Sequence, residues 1–385
     1  MSVGGLVVPT IWTVLLARKL LLARATPFLK PVDPSTLGDY PTVDAIIPAH
    51  NEERDVEATV RGVRAQVYPH LNITVVDDRS TDSTGAILGR LAAELPGIRV
   101  VPGVPRPAGW VGKTWAIRQA LDGVEAEWIW LVDADMGLDP RALATAVAQA
   151  RRADADLVSI VARPVVETFW QGALALCIGE ILYQLYPLSR VNDPAKPAAL
   201  AAGGFILVKR SKYEEVGGHE ALKGEIVEDI ALASLVKKSG GRLSTHFAPK
   251  LVWTHMYGTF REIWVGLRKN AYAGMEYKFH KFAALAIGGL LLAWGSYFEL
   301  IVGMIYGDKI RTFAGLWGVV AETLTMVPSL IFVGIPWWHA FAFPFGLSAY
   351  IAIASSGVWH HHRGRILWKD VVMSPADILN PSRGR

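Results

Sequence analysis

Residues 127–135 read EWIWLVDAD: five apolar residues in a row, then Asp133, Ala134 and Asp135. A run that is apolar at every position, and not at alternate ones, belongs to a strand covered on both faces. Outward from it the same unit repeats. VDAIIP (43–48) precedes helical periodicity through Arg64, NITVVDD (72–78) precedes a helix predicted over 80–95, and IRVVPG (98–103) precedes one over 113–121. A helix over 140–152 and the strand DLVSIVAR (156–163) follow. Such alternation builds an α/β domain with a mostly parallel sheet between helical layers, whose ligands sit beyond the carboxyl ends of the strands. The polar residues gather at those ends: Asn51 and Glu52, then Asp77 and Asp78, then Asp133 and Asp135. Four carboxylates on two internal strand ends repel one another unless a cation or hydrogen-bond donors hold them, which points to a cation-dependent nucleotide site.

The remaining chain is too apolar for an ordinary soluble enzyme. Of 385 residues 51% are hydrophobic and 19% charged, and the apolar excess lies at the two ends. Residues 3–17 carry no charge, and Arg18, Lys19, Arg24 and Lys30 follow before the first acid, Asp33. The order is wrong for a signal peptide, so 1–24 reads as an uncleaved membrane anchor with the following domain in the cytoplasm. At the other end 282–306, 313–334 and 337–358 are long enough to span a bilayer at ~20 residues each. Pro328, Pro336 and Pro344 are positioned to kink or break the last two segments. Three spans put the tail outside, whereas its Arg363, Arg365 and Lys369 favour the inside, so the number of spans stays open. The net charge of +4 is too small and dispersed for a nucleic-acid partner, and the single cysteine, Cys177, excludes an internal disulfide.

Two motifs carry chemistry. Asp133 and Asp135 stand at i and i+2, the same side of an extended chain, so both are placed to meet one hard cation. Glu228-Asp229 opens IALASLVKKSGG, where acids in the first turn and Lys237-Lys238 in the last suit a helix dipole; the same position also suits Asp229 as a general base. GWVGKT (109–114) is not a phosphate-binding loop, because Pro107 occupies the position of its first glycine. DADMG (133–137) lacks the later ligands of a calcium loop.

Taken together IPAHNEE (47–53), VVDDRSTDST (75–84), LVDADM (131–136), the pair Gly203-Gly204 before FILVKR, and VEDIALA (227–233) resemble the family 2 glycosyltransferases, inverting enzymes of the GT-A fold. The resemblance covers 43–255. It implies a nucleotide-sugar donor whose base and ribose lie near Pro48, Asn51, Glu52 and Asp78, with Lys113 as a further donor contact. It also implies Mg²⁺ or Mn²⁺ with the diphosphate at Asp133 and Asp135, Asp229 as catalytic base, and His255 as a metal or diphosphate contact. The polymerising members carry Q-x-x-R-W after the base; here residues 265–269 read VGLRK, which argues against polymerisation. PAGWVGKTWA (107–116), LYPLSRVNDP (185–194) and AAGGFILVKR (201–210) are most similar to hopene-associated and carotenoid-glycosylating members.

The expected organisation is an anchor over 1–24, a GT-A domain over 40–255, an amphipathic interfacial segment over 256–281, a transmembrane region over 282–359 and a polar tail over 360–385. Within the catalytic region 168–188 is greasy enough for either a core helix or a helix resting on the bilayer. The expected activity is transfer of one sugar to a lipid hydroxyl, a hopanoid first, then a carotenoid, a glycerolipid or a polyprenyl phosphate, in the cytoplasmic membrane. A nucleotidyltransferase or a non-catalytic membrane scaffold are the competing classes.

Overall fold

The computed structural model describes residues 3–23, 26–255, 257–275, 277–363, 366–368 and 371–373. Arg24, Arg365, Lys369 and most of the polar tail lie outside the described residues. By its contacts the chain divides into two compact units, one built from Pro27–Val165 and Leu188–Met256, the other mainly from Met1–Thr26, Val166–Pro187 and Tyr257–Trp368.

The first unit is an α/β domain. Its strands are β1 (Val43–Ala49), β2 (Leu71–Asp77), β3 (Ile98–Pro102), β4 (Trp128–Leu131), β5 (Met136–Leu138), β6 (Leu157–Val161), β7 (Arg163–Pro164), β8 (Ile206–Lys209), β9 (Leu243–Phe247) and β10 (Val252–Thr254). Seven of them form one sheet in the order β3-β2-β1-β4-β8-β6-β9, and only β8 runs antiparallel to its neighbours. The apolar runs read as doubly covered strands are just that: β4 is buried along its whole length, and Trp130 lies at the centre of the core with Phe205 and Leu207. A second, three-stranded sheet joins β5, β10 and β7.

Two local differences from the sequence reading matter for the site. The strand read over 127–135 stops at Leu131, and the chain turns at Ala134 and Asp135 before β5 starts the smaller sheet. The helix read from Ser80 begins only at Thr84, because Ser80 to Ser83 form a polar turn. Ser80 N–H donates to Asp77 Oδ1 at 3.1 Å and Thr84 N–H to Asp82 Oδ1 at 3.0 Å, so side chains outcompete the helical ladder here.

The second unit is helical. Three of its segments, Phe279–Tyr306, Lys309–Ile331 and Trp337–His362, are long and apolar enough to cross a membrane. Pro328 sits inside the helix Lys309–Val333 without ending it. Pro336 caps a short 3-10 turn, and Pro344 lies in the first turn of the helix Phe343–His362, where its missing N–H costs nothing. The N-terminal helix Val7–Ala23 has 17 residues and buries Trp12, whose indole N–H donates to Leu292 O at 2.9 Å. The ambiguous greasy stretch is the helix Phe169–Leu185, which opens on a Thr168/Gln171 capping box and groups with the apolar helices and not with the α/β core. It buries Leu174, Leu176, Cys177 and Glu180 and leaves Leu185 exposed. Glu299 pairs with Arg311, whereas Glu322 is 1% exposed and both its carboxyl oxygens lack a hydrogen-bond partner among the described residues.

Candidate active site

The carboxyl ends of β1 and β4, the residues after them, and two helix N-termini meet around Gly203. The helix Gly112–Ala120 begins at the sheet edge because Val111 N–H is held by Lys223 O at 2.7 Å, which sets Lys113 in its first turn. The Lys113 ammonium lies 2.6 Å from Asp133 Oδ1 and 2.6 Å from Glu228 Oε1. Asp229, next along the helix Glu228–Lys238, accepts the Gly203 N–H on Oδ2 at 2.9 Å and the Ile230 N–H on Oδ1 at 2.8 Å. The second bond is how an acid in a first helical turn is ordinarily used, so the capping and the functional readings of Asp229 share one residue.

Gly203 is the floor of this group. A Cβ built there would lie 3.0 Å from Lys113 Nζ, 3.3 Å from Asp133 Oδ2 and 3.4 Å from Asp229 Oδ2. Any side chain would fill the space that three charged groups share. Pro48, Lys113, Asp133, Gly203, Glu228 and Asp229 line one cavity, with His219 on its wall.

Charge and burial oppose each other here. Burial acts against the Lys113 cation, but Asp133, Glu228 and Asp229 overcome it and hold the ammonium well above its ordinary range. Desolvation, with Glu228 adding, pushes the Asp229 carboxyl up to about 7 against the pull of Lys113. A carboxyl raised toward neutrality in a concave site is the usual signature of a proton-transfer group.

Asp135 faces away from this centre. Thr254 donates its hydroxyl to Oδ2 at 3.2 Å, and Oδ1 is buried without a hydrogen-bond partner among the described residues. Burial, with the charges of Asp133 and Glu52 adding, pushes its carboxyl up to about 7. A buried orphan carboxylate oxygen beside two other acids fits a hard cation, which would satisfy the oxygen and relieve the repulsion. The three ligands read from sequence do not gather as a set, however. Lys113 occupies Asp133, and His255 is exposed and meets Asp135 only through its backbone N–H, 3.3 Å from Asp135 O. Among the described residues no group of three His, Cys, Asp or Glu is arranged to hold a metal. Two carboxylates still suit an ion that keeps several waters and takes its other ligands from substrate phosphates.

The other residues read from sequence as donor contacts lie in the loops that follow β1 and β2. Asn51 adopts a left-handed φ of 53°, which asparagine tolerates, and its Oδ1 accepts the Thr81 N–H at 2.8 Å. Glu52 N–H donates to Thr84 Oγ1 at 2.8 Å. Asp78 is 3% exposed, bonds Arg79 at 3.1 Å and sits against Gly103, where a Cβ would come within 2.9 Å of its Cα. Asn51, Glu52 and Asp78 thus lie in the loops after β1 and β2, and Pro48, Lys113, Asp133 and Asp229 line the cavity itself. Sequence reading missed Glu228 as the second partner of Lys113, and it missed His219. Only the Gly217-Gly218 pair before that histidine signalled a tight turn.

Residues 44–217 match Glycosyl transferase family 2. Curated relatives include the 4,4'-diaponeurosporenoate glycosyltransferases of Staphylococcus aureus strains bovine RF122 / ET3-1 and USA300, each 27% identical over 199 residues. That match covers 51% of this chain and 51% of each relative, so the chain spans about half the length of the curated relatives it matches. Among solved structures, the mannosyltransferase of Pyrobaculum calidifontis, in complex with GDP-Man and Mn²⁺, superposes with a TM-score of 0.52 at 18% identity over 91% of this chain and 95% of its own. That likeness carries the fold. With the match of residues 44–217 and the curated relatives, it gives this chain a Glycosyl transferase family 2 domain of the GT-A fold.

Proposed function

We propose that the chain transfers one sugar from a nucleoside diphosphate to the hydroxyl of a membrane lipid, with inversion at the anomeric carbon. The observation that carries the reading is the Asp229 carboxyl, raised toward neutrality and held by Gly203 beside the Lys113–Asp133–Glu228 cluster. In this reading the acceptor oxygen forms its bond to the anomeric carbon while Asp229 takes the hydroxyl proton. The bond from that carbon to the diphosphate oxygen breaks, and its electron pair leaves with the diphosphate. Lys113 offsets the negative charge that builds there. Pro48, Asn51, Glu52 and Asp78 hold the nucleoside. A divalent cation, Mg²⁺ or Mn²⁺, would be held by Asp135 with Asp133 and would supply further charge to the departing diphosphate.

An isoprenoid acceptor is the class we favour, a hopanoid first and a carotenoid next. Its support is the similarity to enzymes named for 4,4'-diaponeurosporenoate, together with three segments apolar enough to cross the bilayer that holds such molecules. The first test is product identity. Purified full chain incubated with a panel of nucleotide sugars and a host lipid extract should release nucleoside diphosphate; release of pyrophosphate would transfer the site to the nucleotidyltransferases.

Chelation should abolish turnover, and added Mg²⁺ or Mn²⁺ should restore it. Asp135→Ala should resist that rescue, because the buried oxygen that a cation would satisfy is gone. Full activity in excess chelator would end the metal assignment. We further propose a multi-pass protein of the cytoplasmic membrane with the α/β unit in the cytoplasm, where nucleotide sugars are made. A reporter fused at Asp39 should report the cytoplasmic side, since Arg18 and Lys19 lie in the C-terminal part of the first apolar helix and Lys30 follows it. A signal from the far side would reverse the orientation.

A further inference from the structure

After the helix Arg210–Glu215 the chain turns through Gly217 and Gly218, with φ of 81° and 50°. Both values lie where a side chain is strained, and a Cβ on Gly218 would come within 2.4 Å of the Tyr213 ring. The turn drives His219 into the protein, where it is 1% exposed. There the Tyr213 hydroxyl oxygen accepts the His219 backbone N–H at 2.8 Å and lies 2.5 Å from the ring Nδ1.

This pair of bonds decides where the imidazole proton is. The phenol has one hydrogen and, among the described residues, no hydrogen-bond partner besides His219. Its hydrogen therefore goes to Nδ1, which must be the acceptor, and the ring proton sits on Nε2. Burial, with the Lys113 charge adding, pushes the imidazole down to about 3, so it stays neutral. Nε2 is buried with no hydrogen-bond partner among the described residues, and His219 lines the same cavity as Lys113, Asp133, Gly203, Glu228 and Asp229. Of the side chains lining that cavity, His219 carries the buried N–H that the described protein does not satisfy.

A buried donor without a partner is costly, so its persistence at a cavity wall points to an acceptor that arrives with a ligand. The surroundings narrow the chemistry. A diphosphate is matched by a full cation such as Lys113, whereas His219 offers a neutral donor. A hydroxyl needs an acceptor for its hydrogen and a donor for its oxygen, and a wall that offers Glu228, Asp229 and a neutral N–H supplies both. We infer that His219 is a specificity-determining residue whose Nε2–H donates to one hydroxyl oxygen of the donor's sugar ring. The inference rests on the glycosyl-transfer reading of this same cavity and adds which part of the donor is recognised and by which atom.

The test compares wild type, His219→Phe and His219→Gln on a nucleoside diphosphate hexose and on the same donor with single hydroxyls replaced by hydrogen. The phenylalanine keeps the ring and loses the donor, and the glutamine restores an N–H. His219→Phe should lower kcat/KM for the parent hexose at least ~10-fold, and His219→Gln should recover part of it. One deoxy donor should suffer the same loss with wild type and no further loss with His219→Phe, the coupling expected of two groups that touch. Affinity for the nucleoside diphosphate alone should not change. Equal penalties for every deoxy donor in wild type and His219→Phe would overturn the inference, as would a matching loss of nucleoside diphosphate affinity. Should His219→Phe not fold, the coupling is read from His219→Leu, which also lacks the donor, against the same donors. Failure of wild type to turn over any nucleotide sugar would remove the glycosyl-transfer reading itself; normal turnover without coupling would remove only the role of His219.

Discussion

Asp229→Asn is expected to lower the sugar-transfer rate at least ~10²-fold while nucleotide-sugar affinity stays near that of wild type. The substitution is nearly isosteric. Its amide oxygen still accepts the Gly203 N–H that now bonds Oδ2 at 2.9 Å, so the floor of the cavity is preserved. What is lost is the ability to take a proton, together with the Ile230 N–H bond to Oδ1, which an amide NH2 cannot accept. The charge change works in the same direction on binding as in the wild type or slightly in its favour, because one anion fewer faces the incoming diphosphate. A steady-state assay with a separate titration of donor binding separates the two effects. Parallel loss of rate and donor affinity would make Asp229 a structural cap of the helix Glu228–Lys238 and leave the base unassigned.

Lys19→Met is expected to destabilise the helical unit by about 3–5 kcal/mol, the usual consequence of leaving one member of a buried ion pair behind. Lys19 is 1% exposed and bonds Glu180, with Ser329 Oγ 2.6 Å from its ammonium. Gln184 Nε2 donates to the other Glu180 oxygen at 2.8 Å, and Arg18 bonds Gln184 in turn. Three helices are tied by this one polar group in otherwise apolar surroundings. The double change Lys19→Met with Glu180→Leu should recover most of the loss, because no charge is then left unpaired. Thermal unfolding of the four proteins in one detergent measures this cycle. If the single and double variants unfold together, the pair adds little to holding the helices in place.

The same Glu180 shows where sequence stops being informative. Its helix, Phe169–Leu185, has the composition of a core helix and of an interfacial one, and the partner of its buried acid, Lys19, is 161 positions away. No local pattern reports such a pairing. The sheet was legible because burial on both faces forces apolar residues at every strand position, as in WIWL of β4, and that signal is local. The strand's end was less so. Val132 extends the apolar run, yet the chain turns at Asp135 because β5 must reach β10 in the second sheet. That turn is why Asp133 and Asp135 face different partners despite standing two residues apart.

The candidate site was partly legible for the same reason. Acids at strand ends and in a first helical turn are visible in the sequence, and Lys113, Asp133 and Asp229 do meet around Gly203. The bond between Lys113 and Glu228 depends on how two helices approach the sheet edge. So does the place of His219, whose GGH turn reads on its own as an ordinary surface punctuation. Tyr213, six residues earlier, fixes the ring's proton, and that relation appears only once the turn is folded.

The most direct test of the account follows the sugar itself. Full-length protein in lipid vesicles made from a host extract, supplied with a nucleotide sugar labelled in its sugar ring, should move the label into the organic phase as one product on an isoprenoid alcohol, with one nucleoside diphosphate released per label transferred. Asp229→Asn in the same vesicles should move almost none. Label that appears only as free sugar in water, or that enters the organic phase equally well with Asp229→Asn, would contradict a lipid glycosyltransferase that uses Asp229 as its base.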